Sequence, residues 1–228
     1  MNGILVPTIG PDDWKRFLAD PEKQWKAGYS AQELAKCWER ANGLPTEVSR
    51  LFESHFAQTE ILLAIPEYKV RLPGGGRDSQ NDLFCLLRAD SATIALMVEG
   101  KVEEPFGNML SEWLLEASDG KRERLSFLLR TLGLDESIPP TIRYQLLHRT
   151  ASAIITARRF GAAKAAMVVH SFSAAKTWLQ DFRDFVGLWG LTIDHDEMIQ
   201  VTLPDGFQLL LGWASGRGEA RQSSGNAA

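Results

Sequence analysis

The stretch Asp82-Leu-Phe-Cys-Leu-Leu-Arg88, followed after a short turn by Ile94-Ala-Leu-Met-Val-Glu99-Gly-Lys101-Val102, decides how this chain is read. Both runs are apolar and suited to strands, yet each carries charge that an ordinary core strand avoids. Side chains alternate along a strand, so Glu99 and Lys101 point to one face. A turn near Ala89-Asp-Ser lets the two runs pair as a hairpin, with Asp82 across from them. Two carboxylates and an ammonium then converge beside a sheet. That arrangement suits a divalent cation held by oxygen ligands, with a lysine near its water.

Outward from this hairpin, apolar spacing gives an order of elements. Upstream, Ile61-Leu-Leu-Ala-Ile65, extended by Tyr68-Lys-Val-Arg-Leu72, reads as a first strand, and Thr46 to about Gln58 as the helix before it. Gly74-Gly-Gly76 is a loop between strands, because no Lys-Ser/Thr follows it to make a phosphate cradle. Downstream, Met109 to Ala117 and Arg122 to Leu132 read as helices, and Ile142 to Phe160 as a helix opened by Pro139-Pro140. Ala165 to His170 is a short buried strand, and Lys176 to Leu188 an amphipathic helix. Met198-Ile-Gln-Val-Thr-Leu203 and Phe207-Gln-Leu-Leu-Leu211 flank Pro204-Asp-Gly206, a hairpin turn. At the N-terminus a helix starts at Gly10-Pro-Asp-Asp-Trp14. A second begins after Ser30, whose hydroxyl and Glu33 form a capping box. Trp14, Trp25 and Trp38 are expected to pack between these short helices rather than stack on bases.

The 228 residues, 44% apolar and 24% charged, describe one globular domain with a substantial core. No run is apolar for long enough to span a bilayer, and Met1 to Gly10 is too short for export, so a cytoplasmic protein is expected. Cys37 and Cys85 sit in apolar contexts and read as free thiols. No Cys/His spacing suits zinc, and no Gly-x-Ser-x-Gly elbow is present. The net charge of −4 does not suggest a nucleic-acid protein, but its distribution does. Ser137 to Gln180 holds no acidic residue while carrying Arg143, Arg149, Arg158, Arg159, Lys164 and Lys176. Such a face can bind a phosphate backbone, or can simply be the solvated side of a helix.

Asp82…Glu99-Gly100-Lys101 resembles the core motif of the PD-(D/E)xK nuclease superfamily, with Asn81 where the motif's proline would stand. Val98-Glu-Gly-Lys-Val102 and Tyr144-Gln-Leu-Leu-His-Arg-Thr-Ala151 are similar to segments of an uncharacterised bacterial branch of it. The resemblance covers residues 46–213 as an order of elements. It implies a mixed α/β fold with a restriction-endonuclease-like αβββαβ core and a C-terminal β-hairpin. Residues 1–45 are then a helical extension packed on that core, and residues 214–228 a disordered tail.

The same resemblance implies hydrolysis of DNA phosphodiester bonds with Mg²⁺ or Mn²⁺. Asp82 and Glu99 would hold the metal and Lys101 would assist the water. Gln145 would be turned towards the site, with Tyr144, His148 and Arg149 holding the substrate. Gln145 and Arg149 lie one helical turn apart on a shared face. A further acid from the helix before the first strand is expected, with Glu53 preferred over Glu60. Glu103 and Glu104 are read as solvated loop acids, and Asp194-His195-Asp196-Glu197 as a solvated turn. His170 is read as a hydrogen-bonded core histidine. A homodimer or a protein partner is compatible with the sequence. Two alternatives stay open: a nuclease-fold module that binds without cleaving, and a Glu–Lys ion pair serving stability in an unrelated α/β fold.

Overall fold

A computed structural model describes residues 8–218. The chain forms a mixed α/β fold around one six-stranded sheet. Its strands are β1 (Thr59–Val70), β2 (Ser79–Ala89), β3 (Ala92–Lys101), β4 (Lys164–Ser171), β5 (Glu197–Thr202) and β6 (Gln208–Ser215), in spatial order β1-β2-β3-β4-β6-β5. The pairs β1–β2, β2–β3 and β5–β6 are antiparallel, whereas β3–β4 and β4–β6 are parallel. Parallel neighbours need long crossovers, and helices supply them.

The helices are α1 (Pro21–Gln24), α2 (Ser30–Ala41) and α3 (Thr46–Glu53) before the sheet, α4 (Leu110–Trp113), α5 (Asp119–Leu132) and α6 (Tyr144–Phe160) between β3 and β4, and α7 (Leu179–Val186) after β4, with 3-10 helices at Pro11–Phe17 and Gly187–Trp189. They make two layers. Phe84, Ala95, Met97, Met167 and Leu209 pack on one side with α5, α6 and α7. Leu83, Cys85, Leu96, Val98 and Val168 pack on the other with Trp14, Leu34, Trp38, Val48 and Phe52. The alternation along β2 and β3 therefore feeds two cores, which is why both strands read as unbroken apolar runs.

Several boundaries differ from the sequence reading for local reasons. Strand β1 runs unbroken through Pro66, whose missing N–H is tolerated because β1 is an edge strand. Helix α3 stops at Glu53, five residues early, as the chain turns into β1. Asp119-Gly120 does not break a helix but opens one, since the Ser118 side chain caps the N–H of Lys121. The helix expected from Met109 to Ala117 is the single turn α4. Ser30 is not an N-cap: Tyr29 holds that place and the Ser30 N–H donates to Glu104 instead. Lys176 and Trp178 have left-handed backbone, so α7 cannot start before Leu179. Strand β6 continues through Ser215, two residues into the expected tail, because Ala214 and Ser215 pair with His170 and Ser171. The rest of that tail from residue 219, and residues 1–7, lie outside the described residues. No helix among the described residues is long and apolar enough to cross a membrane. Both cysteines are free, as expected.

Candidate active site

The β2–β3 register sets Leu83 opposite Val98, so the next position outward places Asp82 beside Glu99 at one end of the sheet. Asp82 Oδ2 accepts the backbone N–H of Gly100 at 2.9 Å, which fixes it across the hairpin. Glu99 and Lys101 turn towards α6. Lys101 Nζ donates to Glu99 Oε1 at 2.7 Å, and Gln145 Nε2 donates to the same oxygen at 2.7 Å. Arg149 Nε donates to Glu99 Oε2 at 2.6 Å, and its guanidinium reaches Asp82 Oδ1 at 3.8 Å. The helical spacing of Gln145 and Arg149 thus delivers both side chains to one carboxylate. Glu99 is 2% exposed and Lys101 4%. Such burial is tolerable only because the charges meet partners.

A third carboxylate joins them. Glu67 lies between the register pairs Pro66–Leu83 and Tyr68–Asn81, so it faces Asp82 across β1 and β2. Its backbone is left-handed (φ 52°), costly for a residue with a Cβ, and strain of this kind gathers at functional sites. Gln80 Nε2 holds Glu67 Oε2 at 2.7 Å. Burial, then the nearby Glu99 charge, pushes the Asp82 carboxyl up to about 7. Burial, then Asp82, pushes Glu67 up to about 8. Glu99 goes the other way: burial opposes its charge, but Arg149 and Lys101 outweigh it and hold the carboxyl below its usual range. Glu67, Asp82 and Glu99 therefore face the two buried cations Lys101 and Arg149, and the surplus falls on Asp82 and Glu67; Glu104 and Lys23 line the same cavity.

These groups line a half-enclosed cavity of about 370 Å³, into which Asp82, Glu99, Lys101, Glu67, Gln145 and Arg149 all project. Gln145 Oε1 is buried there without a hydrogen-bond partner. Tyr144 and His148 lie elsewhere. Tyr144 stacks on Trp113 with ring centroids 4.0 Å apart, and His148 Nδ1 meets Ser79 Oγ at 2.8 Å. Both line an adjoining cavity of about 440 Å³ that shares Gln145 as a wall. Burial, then Arg149, holds the His148 imidazole well below its ordinary value.

Glu53 does not reach the cavity. Val48, Leu51 and Phe52 turn inward on α3, so Glu53 faces outward and accepts from Ser49 Oγ at 3.2 Å. Glu60 pairs with Arg88 on the exposed sheet edge. The acid present is Glu67, which the sequence signalled only as a carboxylate beside Pro66 inside a strand. Glu104, read as solvated, accepts the N–H groups of Ser30 and Val102 and lines the cavity. Glu103 accepts from Ser173 and Thr177. The basic stretch is partly neutralised, since Arg143 pairs with Asp181, Arg149 with Glu99 and Arg158 with Asp205.

A second polar cluster lies across the sheet. Cys37, Glu47 and His170 place potential ligand atoms within 4.8 Å of one another. Trp38 Nε1 donates to His170 Nδ1 at 3.2 Å, and an indole can only donate. The His170 proton is therefore on Nε2, donated to Glu47 Oε1 at 2.8 Å. The same oxygen accepts from Cys37 Sγ at 3.6 Å. A cation on Nε2 would need the proton moved to Nδ1, against the indole N–H. The hydrogen bond from His170 holds Glu47 down to about 2, and burial pushes the Cys37 thiol up to about 12. His170 is thus a hydrogen-bonded core histidine, as its sequence context suggests.

Fold and site together define an α/β protein with a strained, charge-rich cavity at one end of a mixed sheet. The chain belongs to the family described as a domain of unknown function, DUF6946, which matches residues 7–218. No curated protein and no solved structure matches it.

Proposed function

We propose that this protein hydrolyses DNA phosphodiester bonds with Mg²⁺ or Mn²⁺ on a restriction-endonuclease-like fold. The observation that carries the reading is the convergence of Asp82, Glu99 and Lys101 on one cavity with Gln145 and Arg149. The element order α3, β1, β2, β3, α6, β4, with α4 and α5 inserted between β3 and α6, supports it, following the αβββαβ order that the motif's resemblance implies.

The residues fit a hard divalent cation. The carboxylates lining the cavity, Glu67, Asp82, Glu99 and Glu104, offer oxygens, of which those of Glu99 are already held by Lys101, Gln145 and Arg149, and the unpartnered Gln145 Oε1 adds a neutral one. Asp82 and Glu67, whose ionised charge the nearby cations do not fully compensate, would be its main ligands. A bound cation would polarise the phosphate and make its water more acidic. Lys101, held by Glu99, places a fixed ammonium to stabilise charge on the attacking oxygen. Arg149 presents a guanidinium at the cavity wall, suited to the scissile phosphate.

The test is cleavage of single-stranded and plasmid DNA with Mg²⁺ or Mn²⁺ by wild type, Asp82→Ala and Lys101→Ala purified identically. Metal-dependent cutting is expected from wild type, with none from Asp82→Ala and cutting by Lys101→Ala at least about 10²-fold slower. Undiminished cutting by Lys101→Ala would remove the mechanism.

One observation favours a second reading, a nuclease-fold module that binds nucleic acid or protein without cleaving. Arg149 spans Glu99 and Asp82, a place a cation would otherwise take. Mn²⁺ affinity separates the readings, because a module that uses Arg149 in place of the metal binds it poorly.

A further inference from the structure

The cavity that holds Asp82 and Glu99 is walled by the N-terminal segment as well as by the sheet and α6. Lys23, Gln24, Tyr29, Ser30 and Ala31 contribute to its lining and cover part of it as a roof. This roof is fastened at both ends. Trp14 and Leu18 are buried before it, with Trp14 Nε1 donating to Glu39 Oε1 at 2.7 Å. Leu34 is buried after it, and between them the Ser30 N–H donates to Glu104 Oε1 at 2.8 Å. Glu104 is itself held by the Val102 N–H at 3.0 Å, so the tie ends just past the strand that carries Glu99 and Lys101.

We propose that the roofed cavity admits the free end of a single DNA strand and excludes an intact duplex. This rests on the phosphodiester reading above and names its substrate. Duplex DNA is a stiff rod with one phosphate charge per roughly 1.7 Å of axis over both strands. A duplex phosphate reaches a buried group only with its neighbours and the second strand alongside, which needs an open groove. The cavity instead has about 370 Å³, in the range of a pocket for one small ligand, and the Lys101 side chain within is 5% exposed. A single strand has a flexible backbone and can enter end first. The adjoining cavity of about 440 Å³, reached past Gln145, gives the next nucleotide a place beside Arg77, Asn108 and Tyr144.

The experiment uses the full-length protein with Mn²⁺ and four DNAs of related sequence: a linear single strand, a circular single strand, a blunt duplex and a covalently closed plasmid. Alongside, fluorescence anisotropy measures binding of the labelled single strand and duplex, which needs no turnover. The expected result is degradation of the linear single strand, with circle and plasmid at least about 100-fold slower. Single-strand binding should be at least about tenfold tighter than duplex binding. Plasmid nicking at a comparable rate would overturn the inference while leaving the nuclease reading intact. Equal cutting of circular and linear single strands would overturn the requirement for an end. Tight single-strand binding without any cleavage would sink the catalytic reading and keep the substrate assignment; neither binding nor cleavage sinks both. Ser30→Pro supplies a second check. Proline is favoured at the first position of a helix, so α2 persists, but the N–H given to Glu104 is lost. Loosening the roof should raise duplex binding several-fold, and an unchanged preference would show that the roof is not what selects.

Discussion

Two buried polar clusters sit on adjacent strands and opposite faces of the sheet, and they are built on different rules. On β4, His170 gives its one proton to Glu47 and receives one from Trp38, and Cys37 completes the set. Every donor there has an acceptor, and one tautomer satisfies the whole. On β3, one register step away, Glu99 is saturated by Lys101, Gln145 and Arg149, while Asp82 and Glu67 crowd each other. Gln145 Oε1 has no partner and Glu67 holds a strained backbone. A closed network specifies a core, whereas a network with surplus charge, strain and an adjoining cavity is poised for something not yet bound.

The largest effect should come from opening the saturated half of the β3 cluster. Arg149→Ala removes the stronger neutralising partner of Glu99 and leaves a buried carboxylate with Lys101 and Gln145 alone. Urea unfolding should register a loss of about 3–5 kcal/mol. A loss below about 1 kcal/mol would mean that water already reaches Glu99, and the contrast between the clusters would dissolve.

The surplus half should respond to pH. Asp82 and Glu67 have folded-state values of about 7 and about 8, above the ordinary 3.8 and 4.5, so the folded protein holds protons that the unfolded chain has released. Their contribution is complete below the ordinary values and is lost as pH rises through about 7 to 8. The depressed His148 acts only near the lower edge of the window from pH 6.5 to 8.5, weakly and in the opposite sense, since its contribution is lost as pH falls through the ordinary 6.5. Across that window, stability without metal should drop by about 2–3 kcal/mol. Glu67→Gln should flatten the slope, and saturating Mg²⁺ should cancel it, because a cation favours the ionised pair. A flat profile for wild type would sink the claim of uncompensated charge.

By the same logic His170→Ala should cost about 1–2 kcal/mol by leaving the Trp38 indole unpaired. It should leave Mn²⁺ binding at the cavity unchanged by calorimetry. Altered Mn²⁺ affinity would mean that the two clusters communicate through β3 and β4.

Which parts of this were legible in sequence follows from the range of the forces involved. Glu99 and Lys101 announce themselves because charge within an apolar strand is a local anomaly, and period two fixes their shared face. Gln145 and Arg149 follow from helical spacing. Tyr144 and His148 share that helix but point into a neighbouring cavity, a difference of rotation that spacing alone does not resolve. Glu67 is hidden because it falls between the two runs Ile61–Ile65 and Tyr68–Leu72 beside Pro66, and only the edge position of β1 lets the strand run unbroken through it. The roof was hidden for a stronger reason. It depends on Ser30 meeting Glu104 across 74 residues, and no local pattern encodes that contact.

The smallest predicted effect is also the sharpest test of that correction. Glu53 and Glu67 are both acids near β1, and sequence alone prefers the helical one. In the fold Glu53 is an exposed side chain whose partner is Ser49 on its own helix. Removing its charge should leave stability within about 0.5 kcal/mol of wild type, as for surface substitutions generally. Mn²⁺ affinity should not change. Glu67→Gln keeps the shape and a hydrogen-bonding end but deletes the charge facing Asp82. If the cation sits between these two, Glu67→Gln should weaken Mn²⁺ binding by at least about tenfold while Glu53→Gln leaves it alone. The reverse pattern would put the ligand back on α3. Since Glu53 faces away from the cavity, α3 would have to unwind from Val48 and Phe52 to deliver it, and a metal-dependent loss of helix signal would then accompany binding.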